Sequence, residues 1–366
     1  MTQFDTHMRS VIDAFAKGEI VIVTDDETRE NEGDLIIAAS HCTTEKMAFI
    51  IRNCCGIVCA PVSVEYAKRL NLSPMVASND APLGTAFTVS VDVKHGLTTG
   101  ISAEQRANTV RALANPQMGA ADFVRPGHVF PLIAKDGGVL MRSGHTEAAV
   151  DLCKLAGLTP VGVICELAND DGTVMQGEQI VVFAQKHNIK RISVDNIIAY
   201  RQSRDSLVDC ISTFKVQTDI GEVTGHTFVT PFDDVQHFAF VYGDIGDGTN
   251  ILARLHRANV VQDVLSKNKT IERALAKFKA EGRGVLVYLR DGGAGVPVNK
   301  VLPSNSPIIE TSTDDARQKQ WREIGLGAQI LRNLGIVSIR NLTSTPRNYV
   351  GLSGFGIELT GCESME

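Results

Sequence analysis

The sequence reads Thr24-Asp25-Asp26-Glu27-Thr28-Arg29-Glu30-Asn31-Glu32-Gly33-Asp34 directly after the apolar run 20–23. That run is β-branched throughout, which is typical of a short buried strand, so the acidic residues begin where the chain leaves the strand. Six carboxylates lie in this acidic loop (residues 24–34). Because like charges this close raise one another's pKa, the loop needs solvent or a cation to neutralise it. Two interpretations follow: a solvated acidic turn, or a divalent-cation site with further ligands elsewhere.

The composition narrows the class of protein. A chain of 366 residues is long enough for about two domains, and 43% hydrophobic residues is typical of a soluble globular protein. The net charge of -6 without a basic cluster argues against a nucleic-acid partner. No apolar run reaches the roughly 18 residues that a membrane span needs, and the N-terminus has no targeting pattern. A cytoplasmic protein without a membrane partner is expected.

The eight cysteines stand at positions 42, 54, 55, 59, 153, 165, 210 and 362 and include no Cys-x-x-Cys pair. They therefore show neither a zinc-binding spacing nor a disulfide framework. Buried, reduced thiols are expected, because free cysteine is among the most buried residue types.

Hydrophobic periodicity predicts interleaved helices and strands in the first 200 residues. Helices are predicted at 5–17, from 43 or 44 onward, from 102 to about 113, at 147–156, 176–188 and 195–201. Strands are predicted at 20–23, 57–60, 87–93, 160–165 and 191–194. Ser102 and Gln105 match a capping box, and Thr146 can cap the helix at 147. This alternation predicts a mixed sheet packed by helices.

The polar segment 201–206 is the best linker candidate, which predicts domains at 1–203 and 207–366. The second domain is also predicted to be α+β. Its strands are expected at 210–216, 227–230, 238–242, 285–289, 336–340 and 355–359, and its helices at 270–280 and 324–334. Segments 291–297 and 303–313 are rich in Gly, Pro, Ser or Asn and are expected to be loops.

Three further stretches combine polar side chains with glycine or a strand end: 125–131, 142–146 and Glu166. Loops on a rigid scaffold often carry binding and catalytic groups. Because 142–146 opens a helix, its backbone N–H groups together with Arg142 and Thr146 could hold a phosphate. His128 and His145 could equally be structural histidines, and Gly-His-Thr could be only a helix cap.

The four stretches together resemble 3,4-dihydroxy-2-butanone 4-phosphate synthase across residues 8–201. The resemblance is carried by Asp25-Asp26-Glu27-Thr28-Arg29-Glu30-Asn31-Glu32-Gly33-Asp34, Thr98-Thr99-Gly100-Ile101-Ser102-Ala103, Arg125-Pro126-Gly127-His128-Val129-Phe130-Pro131 and Arg142-Ser143-Gly144-His145-Thr146-Glu147. It implies an α/β (α+β) sandwich fold with a mixed sheet. It also implies conversion of ribulose 5-phosphate to 3,4-dihydroxy-2-butanone 4-phosphate and formate in riboflavin synthesis, by a homodimer with its sites near the subunit interface. Gln105 departs from the pattern, because the family usually has Asp there.

The resemblance also implies roles for individual residues. Glu30 and His145 would bind Mg²⁺, or Mn²⁺ in its place, with two ions expected in each active site. The substrate-binding residues would be Arg29, Glu30, Asp34, Arg142, Ser143, Gly144, His145, Thr146 and Glu166. The catalytic residues would be His128, Glu166 and Glu32. Carboxylates and an imidazole can relay protons around an enediolate, but the first base stays open among Glu32, Asp34 and Glu166.

Residues 207–366 resemble GTP cyclohydrolase II through Leu255-His256, Glu281-Gly282-Arg283-Gly284, Gly325-Leu326-Gly327-Ala328-Gln329-Ile330-Leu331 and Leu342-Thr343-Ser344-Thr345-Pro346-Arg347. That family holds zinc with three cysteines, the first of them soon after the Arg-x-His segment. No cysteine occurs here between Cys210 and Cys362. Arg322 stands at the catalytic arginine of the family, but Gln320 and Ile324 depart from its pattern. We therefore expect no zinc and no GTP hydrolysis in this domain.

Two alternatives remain at the level of sequence. The chain could be a bifunctional enzyme whose second site uses an unusual metal set. It could also be a non-catalytic regulatory protein, although the intact Glu30, His128, His145 and Glu166 argue against that reading.

Overall fold

A computed structural model of the chain describes residues 3–25, 29–54, 56–202, 204–205, 208–231, 233–265, 269–290, 325–343 and 356–365. The chain divides into two compact units, residues 1–200 and 201–366, and each unit contains its own seven-stranded sheet. Among the described residues, no helix is both long and apolar enough to cross a membrane. The predicted loops at 291–297 and 303–313 lie outside the described residues.

The first unit contains seven helices and seven strands among its described residues. The helices are α1 (Gln3–Ala16), α2 (Thr44–Asn53), α3 (Val64–Arg69), α4 (Ala103–Ala114), α5 (His145–Leu155), α6 (Glu178–His187) and α7 (Val194–Gln202). The last helix runs two residues past the boundary between the units. The strands are β1 (Val21–Thr24), β2 (Gly33–Ala38), β3 (Cys59–Val62), β4 (Val91–Val93), β5 (Phe123–Ile133), β6 (Gly162–Glu166) and β7 (Lys190–Ser193).

The strands of the first unit form a mixed sheet in the order β4-β5-β3-β6-β2-β1-β7. Successive side chains of a strand point to opposite faces, so each strand contributes to two cores. Leu35 and Ile37 pack in the core formed with α2, α4 and α6, whereas Ile36 and Ala38 pack in the core formed with α1, α5 and α7. The predicted sandwich of a mixed sheet between helices is confirmed.

Several local predictions for the first unit were wrong. Segment 125–131 is part of β5 rather than a loop, although residues 125–128 bulge where Val124 and Val129 pair with consecutive residues of β4. The alternating run 87–93 is a regular strand only at 91–93, and its polar face is buried as well. Helix α5 begins at His145 with Gly144 as its N-cap, so Thr146 lies inside the helix and does not cap it.

The second unit contains strands β8 (Asp209–Thr218), β9 (Gly221–Thr230), β10 (Asp233–Tyr242), β11 (Ile251–Arg257), β12 (Gly284–Leu289), β13 (Ser338–Thr343) and β14 (Glu358–Ser364). Their order is β14-β13-β11-β12-β10-β9-β8. Helix α8 (Thr270–Glu281) packs on one face of the sheet through Phe278, and helix α9 (325–333) packs on the other through Ile330. The predicted second α+β unit is confirmed, although β11 was missed.

The cysteines follow the prediction in the first unit only. Cys42, Cys59, Cys153 and Cys165 are buried and Cys54 is half-buried, all as free thiols. In the second unit Cys210 and Cys362 are exposed instead, because they lie on the outer strands β8 and β14. Cys55 lies outside the described residues.

Candidate active site

Asp25 organises the acidic loop where it leaves β1. Its carboxylate accepts hydrogen bonds from the backbone N–H groups of Glu30 (3.0 Å) and Glu32 (2.9 Å) and pairs with Arg29 Nη1 at 2.8 Å. Arg29 Nη1 also donates to Glu30 Oε2. Since Asp25 is buried and both its oxygens are engaged, it fixes the backbone that presents Glu30 and Glu32. Asp26, Glu27 and Thr28 lie outside the described residues.

Glu30, Asp34 and His145 meet at the centre of the site. His145 Nδ1 lies 3.7 Å from Glu30 Oε2 and 3.7 Å from Asp34 Oδ1. Asp34 is the second residue of β2, and His145 is the first residue of α5. Helix α5 packs against the face of the sheet that carries Asp34, Ile36 and Ala38. The end of a strand and the start of a helix thus bring together residues that are more than 100 positions apart in sequence.

The charges of these three side chains depend on one another. Burial alone raises the pKa of Glu30, but His145 and Arg29 outweigh it and hold that pKa at about 2. Burial raises the pKa of Asp34 to about 7, where His145 opposes the rise and Glu166 and Glu30 add to it. Burial lowers the pKa of His145, but Asp34 and Glu30 raise it to about 9. The carboxylates of the cluster therefore favour a positive charge at its centre.

These residues fit a divalent cation. Asp25, Glu30 and His145 each offer a ligand atom, and the three atoms lie within 4.8 Å of one another. His145 Nε2 and Asp34 Oδ1 are buried and have no hydrogen-bond partner among the described residues. Buried polar atoms without partners are costly, and a cation would satisfy them. Carboxylate oxygens with one imidazole suit Mg²⁺ or Mn²⁺. Sequence reasoning did not single out Asp25 as a possible ligand.

Glu166 and Glu32 border this cluster. Glu166 ends β6 directly opposite Asp34 on β2, so the two side chains are cross-strand neighbours on one face of the sheet. Glu166 Oε2 is buried without a hydrogen-bond partner in the described part of the chain. Burial raises the pKa of Glu32, and Glu30 and Glu166 raise it further. Both carboxyl groups therefore lie beside the three central side chains.

The start of α5 is shaped by a buried ion pair. Arg142 Nη1 pairs with Glu147 Oε2 at 2.7 Å, and Arg142 Nη2 donates to the carbonyl of Leu83 (3.2 Å) and the hydroxyl of Thr85 (3.3 Å). A Cβ at Gly144 would lie 2.4 Å from Arg142 Nη1, so a larger residue at this N-cap would displace the Arg142 guanidinium from its present position. These contacts of Arg142 thus fix the segment 142–146, which contains Ser143 and Thr146. Sequence reasoning missed the role of Glu147.

His128 is held by Asp92 from the neighbouring strand β4. The backbone N–H of His128 donates to Asp92 Oδ1 (2.9 Å), and His128 Nδ1 lies 2.7 Å from Asp92 Oδ2. The Asp92 side chain is 3% exposed and that of His128 40%, so the carboxylate orients an imidazole that solvent and ligands can reach. Sequence reasoning missed Asp92. A carboxylate on a strand that is buried on both faces needs a hydrogen-bond or ion-pair partner, and that requirement could have pointed to it.

The structure brings most predicted site residues together but not all of them. Arg29, Glu30, Glu32, Asp34, His145 and Glu166 converge at one end of β2 and β6. β3 lies between β5 and β6, so two strand spacings, about 10 Å, separate the backbones of His128 and Glu166. His128 therefore lies on a strand two positions away from the one that carries Glu166.

In the second unit, hydrogen bonds hold the segment that follows β11. Asp263 accepts from Tyr288 Oη (2.7 Å) and from the backbone N–H of Asn259 (3.0 Å), and it lies 2.8 Å from His256 Nε2. No cysteine occurs in this segment. Cys210 and Cys362 lie on the two outer strands of the sheet, six strand spacings or roughly 25–30 Å apart. They cannot bind one zinc ion together. Gln320, Arg322 and Ile324 lie outside the described residues.

Two family models match the chain. Residues 9–200 match 3,4-dihydroxy-2-butanone 4-phosphate synthase, and residues 209–364 match GTP cyclohydrolase II. The riboflavin biosynthesis protein RibBA of Rhodococcus erythropolis is 43% identical over 98% of this chain and 89% of its own length. A chloroplastic protein of Arabidopsis thaliana, named monofunctional riboflavin biosynthesis protein RIBA 2, is 44% identical over 96% of this chain and 75% of its own.

Solved structures are similar to the whole chain and to its first unit. The crystal structure of RibBX, a two-domain 3,4-dihydroxy-2-butanone 4-phosphate synthase from A. baumannii, has a TM-score of 0.78 at 35% identity and covers 97% of this chain and 99% of its own. A 3,4-dihydroxy-2-butanone 4-phosphate synthase in complex with two magnesium ions has a TM-score of 0.53 at 46% identity and covers 54% of this chain and 97% of its own.

Proposed function

Because the chain belongs to the 3,4-dihydroxy-2-butanone 4-phosphate synthase family and is an enzyme that makes this compound, we propose that residues 1–203 form a lyase domain acting on ribulose 5-phosphate. The products are 3,4-dihydroxy-2-butanone 4-phosphate and formate, and the pathway is riboflavin biosynthesis. The observation that carries this proposal is the convergence of Glu30, Asp34 and His145 beside Glu166.

Glu30 and His145 are the proposed metal ligands, for Mg²⁺ or Mn²⁺ and two ions in each site. The clustered carboxylates and the unpartnered His145 Nε2 support this assignment. A divalent cation supplies stabilisation of the negative charge that develops on the sugar oxygens when a proton is removed beside the ketone. The similar solved structure of a synthase in complex with two magnesium ions is consistent with two ions in each site.

The remaining site residues bind the sugar phosphate and move protons. Arg29 and Asp34, together with the loop 142–146, would hold the substrate, and the backbone N–H groups at the start of α5 can meet its phosphate. Since Arg142 is engaged by Glu147, Leu83 and Thr85, it contributes mainly by shaping that loop. Glu32 and Glu166 exchange protons with the sugar, and His128 acts on it from β5, two strands away from Glu166.

We propose that the enzyme is a cytoplasmic homodimer. Apolar side chains that are about half exposed, at Ile57, Met75, Val76 and Ile101 of the first unit, support a covering partner.

Formate release from ribulose 5-phosphate tests the proposed activity. The purified protein should release formate with Mg²⁺ and stop when EDTA is added, because the cation neutralises the charge of the reacting sugar. GTP is omitted, because hydrolysis of GTP would also release formate. If folded, metal-loaded protein released no formate, the proposal would be contradicted. The hypothesis of a non-catalytic regulatory protein would then be favoured.

For residues 207–366 we propose a degenerate GTP cyclohydrolase II-like domain that binds no zinc and does not hydrolyse GTP. The absence of cysteine between 210 and 362 and the wide separation of these two residues support it. The relatives named monofunctional and two-domain synthase are consistent with it. The domain keeps a packed core and would serve a structural, dimerising or regulatory purpose.

The competing candidate is a bifunctional enzyme, which is favoured by the match to the cyclohydrolase family and by a relative named bifunctional. Incubation with GTP and either Zn²⁺ or Mg²⁺ separates the two. We expect no release of formate or pyrophosphate with either metal, and no bound zinc by elemental analysis. GTP turnover above the background of a heat-denatured control would refute the degenerate assignment.

A further inference from the structure

The side chain of Gln105 ties down the loop that precedes α4. Its Nε2 donates to Thr98 Oγ1 (2.5 Å) and to the carbonyl of Gly96 (3.3 Å), and its Oε1 accepts from the backbone N–H of Gly100. The expected capping box is therefore only half formed. Ser102 Oγ accepts from the backbone N–H of Gln105 (3.2 Å), but the side chain of Gln105 turns away to this loop. The amide of Gln105 is thus fully used within residues 96–100.

The same loop ends against His128 and Asp92. Gly100 is buried, has φ +89°, and a Cβ there would lie 2.1 Å from Asp92 Oδ2 and 2.5 Å from His128 Nδ1. The backbone of Gly100 therefore lies directly against the pair that orients the imidazole. Hydrogen bonds fix Gln105 on one side of Gly100 and the Asp92–His128 pair on the other. A shift of the Gly100 backbone would therefore displace the imidazole of His128.

We propose that Gln105 is a positioning residue for His128, acting through the 96–100 loop and Gly100. The inference rests on the proposed catalytic role of His128. The Gln105 amide provides both the N–H groups that reach Gly96 and Thr98 and the oxygen that accepts from Gly100, so one side chain fixes the whole loop. A displacement of about 1 Å in a reacting group can cost about 10²-fold in rate.

The test compares Gln105→Ala and Gln105→Met with Glu104→Ala, the exposed neighbour on the same helix. We expect kcat for formate release to fall 10- to 100-fold in both Gln105 variants, with KM within about twofold of the parent protein. Glu104→Ala should keep its kcat. Methionine keeps the length of the side chain, so it separates loss of the hydrogen bonds from loss of volume and decides the question if Gln105→Ala does not fold. A kcat within twofold of the parent in Gln105→Met would overturn the proposal.

A second readout does not depend on activity. NMR of the full chain should show shifted imidazole signals of His128 and faster hydrogen exchange of the Gly100 amide in the Gln105 variants, while signals of His145 stay in place. Unchanged His128 signals would overturn the positioning role. The parent protein could release no formate while the His128 signals still shift in the Gln105 variants. That result would contradict the proposed function but would support the positioning role.

Discussion

Formate release from ribulose 5-phosphate should fall about 10³-fold when Glu30 is replaced by Gln or His145 by Ala. Each change removes one proposed metal ligand, and a bound cation contributes several kcal/mol of charge stabilisation during the reaction. A loss of about 4 kcal/mol corresponds to about 10³-fold in rate. The fold should persist, because both side chains lie at the end of the sheet rather than in its two cores.

The measurement combines kcat at saturating Mg²⁺ with thermal unfolding. A ligand that binds only the folded state at 100 times its Kd stabilises it by about 2.7 kcal/mol, so Mg²⁺ should raise the Tm of the parent protein and not of either variant. Glu65→Gln, an exposed acid on α3, is the matched control and should keep both kcat and the Mg²⁺ response. Near-normal turnover in Glu30→Gln or His145→Ala would remove that residue from the metal site.

The fold was predictable where one face of an element is apolar. Helix α1 carries Met8, Val11, Ile12 and Phe15 on one face, and the predicted helix at 5–17 matches it. Strand β2 is buried on both faces and begins inside the acidic loop, so it shows no alternation and was not predicted. Strand β11 was missed because Arg254 and His256 interrupt its apolar pattern. In the structure, Arg254 Nη1 donates to the carbonyl of Leu342, which allows a charged residue in a central strand.

The site was predictable as a set of motifs, but the partners of its residues were not. His128 and Arg142 stand out in sequence because glycine accompanies them in motifs of a known family. Asp92 is 36 residues before His128, and only the pairing of β4 with β5 brings the two together. Asp25 belongs to a crowded acidic loop, and sequence alone does not separate a carboxylate that accepts backbone N–H groups from one that faces a ligand.

The Asp92–His128 pair supports a second strong prediction. We expect His128→Ala to lower kcat by 10² to 10⁴-fold, the range for loss of a general acid or base. Asp92→Asn should lower kcat about 10²-fold, because the amide can still accept from the backbone N–H of His128 but no longer offers a carboxylate to Nδ1. KM should change little in either variant, since neither side chain belongs to the proposed phosphate-binding loop.

The control is another His–Asp pair of the same unit, in which His95 Nε2 lies 3.3 Å from Asp122 Oδ1. The His95 side chain is 70% exposed, so Asp122→Asn should leave kcat unchanged. The double variant Asp92→Asn/His128→Ala is the decisive measurement. If Asp92 acts only by holding the imidazole, the double variant should be no slower than His128→Ala alone, because residues that act as one unit are not additive. Additive losses would show that Asp92 has a separate role.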